Sequence, residues 1–338
     1  LLAYTHDEAT RSAALEALAA HPVADPLVAA AWASLAADHP DPKVAERAQR
    51  ALGQAKMALA PIDTNRGAPR ITRSLVTSLD GHGRGYIVLA AENRGDRAVA
   101  AFLCDVLQGI PEVIGQLGCE SSEGFLRAFA ARPERDVVED VSELALGLLA
   151  GSLLLCGPGT TPALRYWLER TVGGPFRPRP FPGLLADFDP ASVPFAEISD
   201  RAAAVLDACP AWVDDSELTY ELAEEILLRE ENIPPDPRHH SGAFRFLFDH
   251  RLMGRLELYR RMLFWMASFW EASGAPDLAR SALALAWQLS DAQHAVPGHP
   301  FIAGLIARSL AAAQADLRLG LDPRSPRSRA LRADLEEC

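Results

Sequence analysis

Lysine is almost absent from this chain of 338 residues. Only Lys43 and Lys56 occur, and the other 31 of its 33 basic residues are arginine. We attribute this bias to the coding composition of the source. With 45 acidic residues the formal net charge is −12, which disfavours wholesale binding to nucleic acid or to an anionic membrane but is compatible with a local basic patch.

The sequence also has no long hydrophobic run. The longest, Leu144 to Cys156, has 13 residues and is interrupted by two glycines and a serine, whereas a helix that spans a membrane needs about 20. No membrane span is therefore predicted. The hydrophobic content of 49% is nevertheless enough for a large core, and two or three domains are expected.

Cysteine is sparse and forms no CxxC pair. The five cysteines lie far apart and mostly in apolar runs, where a free thiol packs as a small hydrophobe. Because no signal peptide is recognisable, this pattern predicts a reducing, cytoplasmic location. The chain begins LLAYTH, without methionine, so we expect a fragment or a processed product.

The spacings of common catalytic motifs are missing as well. No HExxH or GxSxG occurs, and the glycine-rich turn at 156–161 lacks the lysine of a P-loop. The turn DGHGRG at 80–85 lies between two strand-like segments, which favours a hairpin turn over a phosphate loop. No catalytic residue, cofactor or metal ion is predicted, and a non-enzymatic role is favoured.

The stretch from Ser241 to Ser273 stands out among the features that are present. It holds eight of the 24 aromatic residues and three of the four methionines. Apolar residues recur at steps of three or four, and from Met262 to Trp270 they go almost all the way round. We predict a helix buried on every side, with a break near Gly254.

Strand-like segments lie between about Ile71 and Leu107, separated by the turn signals DGHGRG and RGD. They predict a three-stranded antiparallel meander, covered by helices at 122–131, 136–156 and 161–172. Further helices are expected at 193–208, 215–231, 276–291 and 300–319. The predicted fold class is mainly α (α+β), with repeat-like or bundle segments and this small meander.

Composition shifts divide the chain into segments. We predict N-terminal helices at 1–57, a linker at 58–70, the meander with its covering helices at 71–172, a proline-rich linker at 173–190, a C-terminal helical domain at 191–320, and a polar tail at 321–338.

Two segments resemble helical repeats. Asp41, Pro42, Lys43 and Val44, with Ala45, Ala48, Ala51 and Leu52 behind them, resemble the second half of a HEAT repeat within residues 7–53; ordinary amphipathic helices of a bundle are the alternative. Positions from about 260 to 291 resemble one tetratricopeptide helix pair: Leu263, Met266, Ala267, Trp270, Gly274, Ala279, Leu283 and Ala286. The closing proline of that motif is replaced by Asp291. Both resemblances imply surfaces that bind proteins.

The candidate binding residues cluster around the start of the aromatic stretch: His239, His240, Arg245, His250, Arg251 and Arg255. Imidazoles near the acidic helix that carries Glu217, Glu221 and Glu224 could hold a metal ion, although ligand spacing is poor. Arginines among aromatic residues could hold nucleic acid. The plainer interpretation is that the arginines cover the edge of a buried helix and pair with the acidic helix before it.

We therefore expect a protein that binds other proteins, as an interaction or scaffold component of a larger bacterial-type assembly. The alternative is a nucleic-acid-binding protein or a metal-dependent processing enzyme that uses the region 238–261. Nucleic acid is the less favoured partner because of the net charge. A small-molecule pocket near Leu144 to Cys156 is a third possibility.

Overall fold

The structure is a computed structural model, which describes residues 8–20, 32, 35–36, 42–58, 69–93, 95–118, 121–130, 135–156, 161–173, 176, 189, 197–229, 241–290 and 297–325. The chain divides into two compact units. Unit 1 consists of Leu1–Ser78 and Gly85–Gly183, and unit 2 consists of Leu79–Arg84 and Leu184–Cys338.

Unit 1 begins with helices α1 (Glu8–Ala19) and α2 (Pro42–Ala58). Leu15 of α1 and Val44 and Ala48 of α2 pack together with Trp32 and Leu35 in a small apolar cluster. Trp32 is fully buried there. These short helices therefore bury their apolar faces against one another.

The main feature of unit 1 is a five-stranded antiparallel sheet with the strand order β4-β3-β2-β1-β5. Its strands are β1 (Arg70–Thr77), β2 (Arg84–Asn93), β3 (Asp96–Asp105), β4 (Gly109–Leu117) and β5 (Val137–Glu139). The class of the fold is α+β, and the prediction of a three-stranded meander is wrong.

The two missed strands are the two edges of the sheet, and both give weak sequence signals. Strand β4 contains Pro111 and Gly115, which disfavour a central strand but are compatible with an edge. Strand β5 has only three residues and pairs with β1 through Val76 and Val138. The helix predicted from Asp136 begins at Ser142, after this strand.

Helices cover both faces of the sheet. Leu126 and Phe129 of α3 (Ser121–Ala130) pack in one cluster with Val99 and Ala101 of β3. On the other face, the Trp167 ring of α5 (Pro162–Thr171) lies against Gly115, which pairs with Ala100 of β3. Neighbouring residues of a strand point to opposite faces, so α3 and α5 lie on opposite sides. Helix α4 (Ser142–Leu155) also contacts β1, β3 and β4.

Unit 2 is built from helices, two of which, α8 and α9, form the aromatic stretch. They are α6 (Ile198–Ala208), α7 (Glu217–Leu228), α8 (Ser241–Leu247), α9 (Leu256–Ala272), α10 (Pro276–Leu289) and α11 (Pro300–Arg318). From Met262 to Trp270, every side chain of α9 is buried except that of Phe264, which is half-buried. The prediction of a helix covered on every side is therefore confirmed for Met262–Trp270, whereas Phe246 and Met253 in the first half of the stretch are exposed.

The short segment Leu79–Arg84 belongs to unit 2 although it follows a strand of unit 1. The indole N–H of Trp212 donates a hydrogen bond to the carbonyl oxygen of Leu79 over 3.4 Å. A Cβ atom at Gly81 would lie 2.3 Å from the carbonyl oxygen of Ala211. This close approach requires glycine at that position.

In the described part of the chain, no helix combines the length and the apolar character that crossing a bilayer requires.

Replacement of Trp265, which is fully buried in α9, tests the central role of this helix. We expect Trp265→Ala to lower the free energy of unfolding by about 3–5 kcal/mol, because a large cavity replaces the indole. The partly exposed Trp287 of α10 is the matched control, and Trp287→Ala should cost clearly less, about 1–2 kcal/mol. Chemical denaturation of both variants checks this; equal losses would contradict a core centred on α9.

The close approach at Gly81 leads to a second prediction. Gly81→Ala should destabilise the protein by about 1–3 kcal/mol, because the added methyl group meets backbone that cannot give way easily. Gly254 has nothing within 4 Å of a Cβ added there, so Gly254→Ala is the control and should be neutral or slightly stabilising. A Gly81→Ala protein that melts at the wild-type temperature would refute the close contact.

Candidate functional site

A completely buried carboxylate, that of Asp214, lies at the centre of a polar cluster in unit 2. Its side chain is 0% exposed. Oδ1 accepts hydrogen bonds from Arg251 Nε over 3.1 Å and from Arg255 Nη1 over 2.6 Å. Oδ2 accepts from Ser216 Oγ over 2.5 Å and from Thr219 Oγ1 over 2.6 Å. Four donors therefore surround one carboxylate.

The start of helix α7 positions two of these donors. Ser216 is the N-cap residue of α7, and its hydroxyl also accepts from the backbone N–H of Thr219. This is the usual role of serine at a helix start. The backbone N–H of Asp214 donates to Ser309 Oγ of α11 over 2.8 Å. The carboxylate is thus fixed by both its side chain and its backbone.

The two arginines come from an irregular part of the long helical stretch. Between α8 and α9 the chain forms a π-helical turn, Phe248–Leu252, and then a 3₁₀ turn, Met253–Arg255. Such insertions often occur at functional sites. Arg251 lies in the first turn and Arg255 ends the second, and both reach the same oxygen of Asp214.

The pKa of Asp214 is lowered from its ordinary value. Burial acts most strongly and in the opposite direction, but the hydrogen bonds from Ser216 and Thr219 and the charge of Arg251 outweigh it. A carboxylate with a lowered pKa and four donors has no free acceptor position for a substrate proton. Asp214 therefore anchors the cluster and is poorly suited to general base catalysis.

Of the six predicted binding residues, the structure brings Arg251 and Arg255 together at Asp214. Arg245 and His250 lie on the exposed side of the same helical stretch. His239 and His240 lie outside the described residues. The interpretation that the arginines pair with the acidic helix is wrong for these two, because their partner Asp214 precedes the N-cap of α7.

An exposed strip of side chains lies on the outside of this stretch; we call Arg245, Phe246, Asp249, His250 and Met253 the outer strip. The rings of Phe246 and His250 stack with centroids 4.0 Å apart. His250 Nδ1 donates to the carbonyl oxygen of Phe246 over 2.9 Å, which fixes the imidazole. Phe246 is 43% exposed and Met253 56% exposed, so an ordered apolar surface faces solvent.

The described residues contain no group of three or more His, Cys, Asp or Glu side chains that could hold a metal ion. Glu224 and Glu225 of the acidic helix have basic partners: Glu224 accepts a hydrogen bond from Arg324 over 2.7 Å, and Glu225 pairs with Arg229.

Sequence reasoning missed Asp214, Thr219 and Ser309. The run Asp214, Asp215, Ser216 reads as an ordinary helix start, and Ser309 is 95 positions away from its partner. The one available signal was the pair of arginines four residues apart, whose charges require a counterion if the helix is buried.

No protein-family model, no curated protein and no solved structure matches this chain. The HEAT-like and tetratricopeptide-like resemblances therefore stay predictions.

The Asp214 cluster leads to a prediction about stability and its pH dependence. Asp214→Asn should lower the free energy of unfolding by about 3 kcal/mol at pH 7, because two partly buried arginines lose their counterion. The pKa of Asp214 is lower in the folded protein than in the unfolded chain, where it is about 3.9. The stabilisation by the carboxylate is therefore complete above that unfolded pKa and is lost as the pH falls from there through the folded pKa.

Urea denaturation at pH 7 and pH 3 measures this, and the gap between wild type and Asp214→Asn should narrow in acid. Asp277 pairs with Arg280 at the surface, so Asp277→Asn is the control and should change stability by less than about 0.5 kcal/mol at either pH. A gap that stays constant or widens at pH 3 would contradict a charged Asp214.

Proposed function

We propose that this protein is a binding component of a larger protein assembly and that it docks a protein partner through the outer strip. The observation that supports this most is the exposure of Phe246 and Met253 beside a stacked imidazole. Aromatic residues, methionine and arginine are enriched in the centres of protein interfaces, and methionine adapts to partners of different shape.

The surroundings of the strip fit an interface with a polar rim. Arg245 Nε and Asp249 Oδ2 lie 3.6 Å apart, and Glu257, one turn beyond Met253, pairs with Arg260 and Arg261. These paired charges remain hydrated at the edge while the apolar side chains are covered. The proposed place of action is a reducing cytoplasm, and it fits the thiols of Cys104, Cys156 and Cys209, none of which forms a disulfide with a described residue.

The nucleic-acid alternative has less support. Arg251 and Arg255 bind Asp214, while Arg260 and Arg261 bind Glu257. Arginines paired with carboxylates contribute less to binding nucleic acid, because the neighbouring carboxylates repel the phosphates. No observation on the described residues favours this alternative or a metal-dependent enzyme.

The experiment is a pull-down from the native host with wild type and two surface variants, followed by affinity measurement on the recovered partner. Phe246→Ala and Met253→Ala should each weaken binding by about 10- to 30-fold, as truncation of a central interface residue costs about 2 kcal/mol. Leu107 of unit 1 is 45% exposed, and Leu107→Ala is the matched control that should bind normally.

A pull-down without a specific partner, together with a monomer in solution, would count against the proposal. If Phe246→Ala and Leu107→Ala bind the partner equally well, the interface does not include the outer strip.

A further inference from the structure

Tyr259 carries a buried hydroxyl without a partner. The residue is 2% exposed, and its side-chain oxygen makes no hydrogen bond to any residue that the structure describes. Buried hydroxyl groups are nearly always hydrogen-bonded, so an unpaired one calls for an explanation such as a bound water or ligand. Burial is the strongest influence on Tyr259 and raises its pKa to about 12. The phenol therefore stays protonated and can donate a hydrogen bond.

This hydroxyl belongs to the same cluster as Asp214. Arg251, Arg255 and Tyr259 follow one another at steps of four, which places successive side chains on one side of a helical stretch. The guanidinium carbon of Arg255 lies 6.0 Å from the centre of the Tyr259 ring. Side chains on a helix lean towards its N-terminus, so the Tyr259 side chain is expected over the turn that carries Arg255.

Both guanidinium groups have donors to spare. Each carries five N–H donors, but within the described part of the chain Arg251 uses only Nε and Arg255 only Nη1, both towards Asp214. Their side chains are 41% and 21% exposed, so a small group can reach them from solvent.

The charges leave room for one more anion. Asp214 neutralises one of the two arginines, and the cluster of these three residues keeps a net charge of +1. Asp215 is close by, but its side chain is half-exposed and lies 3.9 Å from His82. A monoanion balances this cluster, whereas a phosphate dianion would add repulsion against both aspartates.

We propose that Arg251, Arg255 and Tyr259 bind one carboxylate group, with the guanidinium donors on its oxygens and the Tyr259 hydroxyl completing its hydrogen bonds. The planar guanidinium fork matches a carboxylate. This site is separate from the outer strip and does not depend on it. Its ligand is either a free small carboxylate or the acidic side chain of a protein.

The test is saturation-transfer NMR of acetate with the full chain, at constant ionic strength set with chloride. Wild type should bind acetate saturably. Tyr259→Phe removes only the unpaired hydroxyl, so it should fold normally and bind about tenfold more weakly. Arg251→Lys keeps the positive charge beside Asp214 but removes the planar guanidinium, and it should weaken acetate binding by a similar factor. Tyr166→Phe, which alters a partly exposed tyrosine of unit 1, should bind like wild type.

The same titration with N-acetylglutamic acid α-amide separates the two sources. At least tenfold tighter binding than acetate assigns the site to an acidic side chain of a protein, and equal or weaker binding assigns it to a free carboxylate. The proposal is overturned if acetate does not bind saturably, if Tyr259→Phe binds it as well as wild type, or if inorganic phosphate displaces it at lower concentration.

Discussion

A carboxylate that is removed from water keeps its charge only when donors surround it, and this constraint organises unit 2 around Asp214. The start of α7 supplies two hydroxyl donors, the irregular turns before α9 supply two guanidinium groups, and Ser309 of α11 accepts the backbone N–H. Three parts of the chain that are distant in sequence therefore meet at one residue. The same contacts hold the inner side of the helical stretch whose outer side carries Phe246 and Met253.

This arrangement combines a fixed backbone with an adaptable surface. The stack of Phe246 on His250 and the hydrogen bond from His250 to its own helix reduce the freedom of the outer strip. Ordering fewer side chains on binding lowers the entropic cost of association. Met253 remains free to adjust. The protein thus presents an apolar surface that is largely preorganised, which is what the proposed docking through the outer strip requires.

Apolar periodicity was sufficient to predict the burial of α9, since a helix that is apolar on all sides must be covered on all sides. Periodicity failed at the sheet edges. Pro111 and Gly115 in β4 are tolerated because Pro111 lies on an edge and the Trp167 ring covers Gly115, and neither reason is visible locally. At the candidate site, Arg251 and Arg255 were found from their spacing among aromatic residues. Their counterion was not, because Asp214 looks like part of a helix cap and its burial depends on distant α11.

The assignment of Leu79–Arg84 to unit 2 has a consequence for how this unit can be completed during synthesis. These residues leave the ribosome long before their partners Ala211 and Trp212. The carbonyl oxygen of Ala211 lies against Gly81, and the indole of Trp212 donates to Leu79. Unit 2 is therefore made of two separate segments of the sequence, and a protein fragment that begins at residue 184 would lack the first of them. In such a fragment the indole of Trp212 would lose its acceptor, and the backbone next to Ala211 would be open to water or to a foreign chain.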